Sequence, residues 1–141
     1  MEHNIKDRLS LLVQQHKELR AISKKIDNTK ETASPIKIRE LLFTLLNLAK
    51  DHMKQEEEIL VPLLEGMYHP NEQEIAGFIL KEHQQLQSEL ASLLASVQTP
   101  EWDNDTVESL ISHQLEHMFK EEYFLFPLIQ HFYSGLRSKA Q

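Results

Sequence analysis

Six side chains able to bind a cation recur along this chain at helical spacing: His16, His52 with Glu56, His83, and His117 with Glu121. The two His-x-x-x-Glu pairs open near-copies of one phrase, "HMKQEEEILVPLL" at 52–64 and "HMFKEEYFLFPLI" at 117–129. On a helix, residues four apart lie one turn apart and about 40° around the axis, so each pair leaves the same face. The other two histidines sit in a shorter repeat, His-x-x-Leu, at His16/Leu19 and His83/Leu86. Each of the six interrupts an apolar row: 5, 9, 12 and 19 around His16; 45, 48/49 and 59 around His52 and Glu56; 79 and 86 around His83; 110 and 124 around His117 and Glu121.

Two carboxylates among four imidazoles in an apolar interior would cost many kcal/mol without a cation or a complete hydrogen-bond network, more than a marginally stable fold can lose. A metal centre removes that conflict; a purely structural His/Glu network is the competing explanation. Two halves suggest two ions. In the simplest assignment His16 and His52 hold one, His83 and His117 hold the other, and Glu56 and Glu121 bridge the pair, in the manner of di-iron carboxylate bundles. A solvent-derived oxo or hydroxo bridge would bring each ion to five ligands and leave one open position for a small diatomic or a peroxide. Nitrogen and oxygen donors without thiolates suit two Fe ions, or Mn, and would also accept Zn.

Long helices are needed to bring these positions to one level. Apolar periodicity predicts a first helix over roughly 3–28, ended by the turn chemistry of "DNTKETASP". Ser34 before Pro35 is a helix start, and Gly66 a stop, for a second helix over roughly 35–65. Asn71 with Glu74, and Asp105 with Glu108, resemble capping boxes that open a third helix over 71–98 and a fourth running to about Gly135, its inward stripe including Phe124 and Leu128. Pro62 and Pro127 fall inside helices, where a ring removes one backbone bond, and are read as kinks without chemistry. Short connections between such helices favour an all-α, up-down-up-down four-helix bundle. At ~1.5 Å of rise per residue, the six side chains fall roughly 14–26 Å from the turns that join their helices, which is one mid-bundle layer within the error of the helix ends.

Composition supports this class and narrows the partners. The chain has 141 residues, enough for a single domain over 1–141 with its own core, and only three Gly and five Pro. Lys and Arg number 15 against 22 Asp and Glu, a net charge of −7, the wrong sign for nucleic acid or an anionic membrane surface. Cys is absent, which excludes thiol catalysis, disulfides and thiolate-bound metals. The opening "MEHNIKDRLS" has no signal-peptide pattern, and no apolar run approaches the ~20 residues of a spanning helix, so a soluble cytoplasmic protein is expected.

The motifs in combination, His16, "HMKQEE" at 52–57, "EHQQL" at 82–86, and "HMFKEE" at 117–122 followed by "FLFP", resemble the hemerythrin-like (HHE cation-binding) family over nearly the whole chain. That resemblance implies a four-helix bundle with a non-haem di-iron centre, in proteins that bind oxygen, nitric oxide or peroxide, sense oxygen or iron, or support iron–sulfur cluster repair. The invertebrate oxygen carriers of the family have a second histidine one turn before the third-helix ligand, where this chain has Ile79, and an aspartate five residues after the last histidine. The present pattern is similar to the four-His, two-Glu variant.

Other residues near the rows compete for roles. His113, one turn before His117, is a fifth ligand, an outer hydrogen-bonding group or an ordinary histidine. Glu57 and Glu122 follow the bridging positions by about 100° of rotation and are expected to be solvated or to lie outside the ligands, although Glu122 has the five-residue spacing. Tyr123 is expected to pack, and His3, His69 and His131 to lie at the surface. The function expected is a metal-binding protein that takes O₂, NO or peroxide as sensor, carrier or scavenger. The alternatives are a catalase-like enzyme and an iron store or donor.

Overall fold

The computed structural model describes residues 2–29, 31–32, 34–67, 70–97 and 104–140, with backbone alone for 2, 3, 70, 72, 73 and 136–140. His69 and the "QTP" segment at 98–100 lie outside them, as does the side chain of His3. Three long helices, α1 (Glu2–Thr29), α2 (Pro35–Glu65) and α3 (Pro70–Ser96), are followed by a fourth limb in three pieces. These are α4 (Asn104–Lys120), a π-helical turn (Glu121–Leu125) and α5 (Phe126–Ala140). No strand occurs among the described residues. Each limb packs on the next, and the fourth closes onto α1, so the fold is the expected all-α four-helix bundle.

Local chemistry sets the ends. Ser34 has extended backbone and its hydroxyl accepts from the Lys37 N–H at 3.3 Å, with Pro35 in the first turn where a missing N–H costs nothing. Helix α2 stops at Gly66, which keeps right-handed backbone (φ −76°). Its need for glycine is spatial: a Cβ there would meet Tyr133 Oη at 2.8 Å. That hydroxyl donates to the Leu63 carbonyl at 2.6 Å, satisfying an acceptor at the helix end. Asn71 and Asp105 stand inside the first turns of helices that begin at Pro70 and Asn104, so neither is the cap itself. Gly135 does not end the last helix, which runs on to Ala140.

The two interior prolines behave differently. Pro62 lies within an uninterrupted α2, whereas Pro127 follows the π-helical turn, in which the Phe126 N–H reaches back to the Glu121 carbonyl. The wide turn adds about one residue to the helical repeat and shifts the inward phase. Leu125, Phe126 and Ile129 are therefore buried, while Phe124 and Leu128 turn outward at 67 % and 38 % exposure, contrary to the expected stripe.

The core is split. One apolar cluster includes Leu19, Leu45, Ala49, Met53, Leu86 and Met118. The other includes Leu12, Leu60, Ile79, Leu125, Phe126 and Ile129. On every limb the change from one cluster to the other falls at one of the six side chains: His16 between Leu12 and Leu19, Glu56 between Met53 and Leu60, His83 between Ile79 and Leu86, and Glu121 between Met118 and Leu125. A single polar layer thus divides two apolar halves.

Candidate metal centre

That layer holds all six side chains singled out above. His16 comes from α1, His52 and Glu56 from α2, His83 from α3, His117 from α4, and Glu121 from the first position of the π-helical turn. All are buried. Their donor atoms form two groups, His16–His52–Glu56–Glu121 and Glu56–His83–His117–Glu121, and within each group the atoms lie within 4.8 Å of one another. Glu56 and Glu121 belong to both. The halves repeat in space: the His16 and His52 rings meet edge-on at 4.6 Å and 68°, those of His83 and His117 at 5.0 Å and 72°.

The outer edges of the four rings explain how they are aimed. Each Nδ1 faces an oxygen: Glu122 Oε2 at 3.0 Å from His16, Gln15 Oε1 at 2.7 Å from His52, Glu57 Oε1 at 3.1 Å from His83, and Glu82 Oε1 against His117. The Gln15 amide is oriented by its own donation to Gln55 Oε1 at 2.6 Å. Carboxylate and amide oxygens only accept, so each Nδ1 carries a proton, and a neutral imidazole then presents a lone pair at Nε2.

All four Nε2 atoms point inward at acceptors. His52 Nε2 stands 2.7 Å from Glu56 Oε2, and His83 Nε2 2.6 Å from Glu56 Oε1. His16 Nε2 is 3.2 Å from both Glu56 Oε2 and Glu121 Oε1, and His117 Nε2 is 3.3 Å from Glu121 Oε1. His83 and His117 face one another through Nε2 at 3.2 Å. Despite this crowding, His52 Nε2, Glu56 Oε1 and both Glu121 oxygens lack a hydrogen-bond partner. Donors shared by one ion at ~2.0–2.2 Å stand about 3–3.5 Å apart and point at a common centre rather than at one another. The donor set fits a cation.

Without a cation, protons must relieve the conflict, and the titration of the groups reflects this. Burial raises the Glu56 carboxyl, but the imidazoles of His117, His16, His52 and His83 that face it outweigh burial and hold it well below the usual carboxylate range. Burial pushes Glu121 well above that range, and the negative charge of Glu56 adds to the effect, because two carboxylates in one dry cavity cannot both ionise. Burial lowers His117, yet the facing carboxyl groups of Glu56 and Glu82 carry it up to about 9. Glu82 is lowered by the hydrogen bond from His117. For Glu122, burial is upward but is overcome by Arg20 and His16, and the net shift is downward.

Adjacent acids serve one imidazole in each half: Glu121 and Glu122 from the π-helical turn reach His16 at Nε2 and Nδ1, as Glu56 and Glu57 from the regular α2 reach His83, while Arg20 holds Glu122 in an ion pair.

Residues outside the six divide cleanly. His113 does not join the layer; it pairs with Glu89 at 3.0 Å, partly exposed. Tyr123 is 65 % exposed and stacks on Phe119. Sequence reasoning passed over Gln15 and Glu82 as hydrogen-bonding partners. Each immediately precedes a histidine of the layer, and a polar residue beside an inward histidine was the available signal.

A four-helix bundle closed around a buried His/Glu cluster with shared carboxylates defines a class of metal-binding helical proteins. The hemerythrin HHE cation-binding domain matches residues 7–129, and the chain belongs to that family. No curated protein and no solved structure matches it. Family and cluster together point to a metal-binding protein. No helix among the described residues is long and apolar enough to cross a membrane.

Proposed function

We propose that the chain is a single hemerythrin-like domain that holds two iron ions through His16, His52, Glu56, His83, His117 and Glu121, and takes O₂, NO or peroxide there as sensor, carrier or scavenger. The observation that carries this reading is the arrangement of the imidazoles: every Nδ1 is occupied by an outer oxygen, and every Nε2 is aimed inward at the shared carboxyl groups of Glu56 and Glu121. Charge supports the count of two. Glu56, Glu57, Glu82, Glu121 and Glu122 carry five negative charges when ionised, and Arg20 returns one, a balance that two divalent cations neutralise.

When bound, an iron pair supplies one- and two-electron chemistry toward oxygen species. The protein's own part is positional. Gln15, Glu57, Glu82 and Glu122 fix the ring tautomers, and the two apolar clusters exclude bulk water from either side of the layer. Glu56 and Glu121, each common to both donor groups, keep the two halves close.

Metal analysis of protein from iron-supplemented cells should find two irons per chain, and anaerobic reduction followed by O₂, NO or H₂O₂ should give distinct optical spectra. A stable, reversible spectrum with O₂ marks a binder, and catalytic O₂ evolution from H₂O₂ marks a catalase-like enzyme. His52→Ala and His117→Ala should each lose metal. If both keep the full complement, the assignment is wrong.

A further inference from the structure

The two halves of the centre differ in what lies beside them. A cavity of about 410 Å³ opens between α3 and the π-helical turn, and its inner end is formed by His117, Glu121 and Glu82. His16 and His52 are not part of it. Its walls are hydrocarbon, chiefly Ile75, Phe78, Ile79, Phe124 and Leu128.

Three features decide what would fit. Size comes first: a water molecule occupies about 30 Å³ of liquid, so the space far exceeds what a diatomic or H₂O₂ requires and falls in the ~300–1,000 Å³ range of small-molecule sites. Wall chemistry comes second. Phe78 and Phe124 stand 59 % and 67 % exposed at the opening, and Phe124 and Leu128 are there because the π-helical turn shifted the stripe outward. Apolar rings held in water are stabilised by any hydrocarbon that covers them. The inner end comes third. Glu82 and Glu121 line it, while the Lys120 ammonium at the cavity is engaged by Glu116 at 3.6 Å. With the acids of the layer balanced by Arg20 and two divalent ions, the inner end carries no net charge to attract an anionic head and favours a neutral, polar one.

We propose that this cavity seats an organic hydroperoxide, with its neutral oxygen end against His117 and Glu121 and its hydrocarbon part along Phe78, Ile79, Phe124 and Leu128. This deepens the metal-centre reading and rests on it, since the oxygen end is drawn to the half of the centre that the cavity reaches. Ile79, buried one turn before His83, makes the inner part of that wall apolar and brings no polar atom of its own to the layer.

The test uses the iron-loaded chain and 2-phenyl-2-propanol, which has the shape of cumene hydroperoxide without its oxidising bond, in isothermal titration calorimetry. Saturable one-to-one binding is expected, weakened about tenfold or more both in Leu128→Trp, which fills the mouth, and in Phe124→Ala, which removes a wall. Both positions are exposed, so the variants should fold, and both are expected to retain the wild-type iron content. No saturable binding, or equal affinity in all three proteins, overturns the cavity assignment while the iron content leaves the metal reading standing. A dimer that forms through Phe78 and Phe124, seen by sedimentation and abolished in Phe124→Ala, also overturns it, because a second copy would then be the occupant. Absence of iron from the wild-type chain overturns the parent reading and this one with it.

Discussion

Stripping metal from this chain should reverse the sign of its response to rising pH. In the cation-free fold, burial lowers His117 but the facing carboxyl groups of Glu56 and Glu82 raise it from 6.5 to about 9. Between those values the folded state keeps a proton that the unfolded chain has released, so stability falls as pH rises. The contribution is complete below 6.5 and gone above about 9, and the gap corresponds to about 3 kcal/mol. Glu121 acts in the same direction, because its carboxyl is also raised in the fold. Glu56, Glu82 and Glu122 are lowered; their stabilisation is present above 4.5 and fades only as pH falls below it, outside this window. For a chain of this size, about 3 kcal/mol is roughly 6–12 °C in Tm. In the loaded protein the ligands are held deprotonated while the unfolded chain takes up protons as pH falls, so stability should rise from pH 6 to 7.5. Calorimetric melts of chelator-treated and iron-loaded protein at pH 6, 7.5 and 9 test both limbs. An equal or higher Tm at pH 9 than at pH 7.5 in the metal-free chain would refute the reasoning.

Three further outcomes are expected. Glu82→Ala frees His117 Nδ1 and should weaken metal binding about 10- to 100-fold in chelator competition, with the fold intact by circular dichroism; unchanged affinity would mean that the outer carboxylate does not position the ring. Ser34→Ala removes the acceptor of the Lys37 N–H and should cost about 0.5–2 kcal/mol in urea unfolding, without change in metal content. Gly66→Ala pushes a methyl toward Tyr133 Oη and should cost about 1 kcal/mol through the lost bond to the Leu63 carbonyl; the alanine variant matching wild type would show that the hydroxyl relocates freely.

Much of the site could be read from spacing because it rides on regular helices. Residues four apart on α2 must share a face, so His52 and Glu56 had to enter the interior together once Leu45 and Leu60 did. Breaks in apolar rows marked His16 and His83 in the same way. The outer partners were harder to read, since Gln15, Glu57, Glu82 and Glu122 lie about 100° off the inward row, and only the approach of a neighbouring helix decides whether such a side chain meets solvent or an imidazole.

The chain's own pattern determined four long amphipathic helices, a start at Ser34, a stop at Gly66, and a polar step in each inward row, because these follow from local geometry and side-chain chemistry. Tertiary structure decided the rest. The π-helical turn at Glu121–Leu125 reversed the expected burial of Phe124 and Leu128, as a single extra residue per turn is invisible to a fixed 3.6-residue period. The same shift set Phe124 and Leu128 in the wall of a cavity that reaches His117 and Glu121 but not His16 or His52, an asymmetry that two near-identical phrases could not reveal.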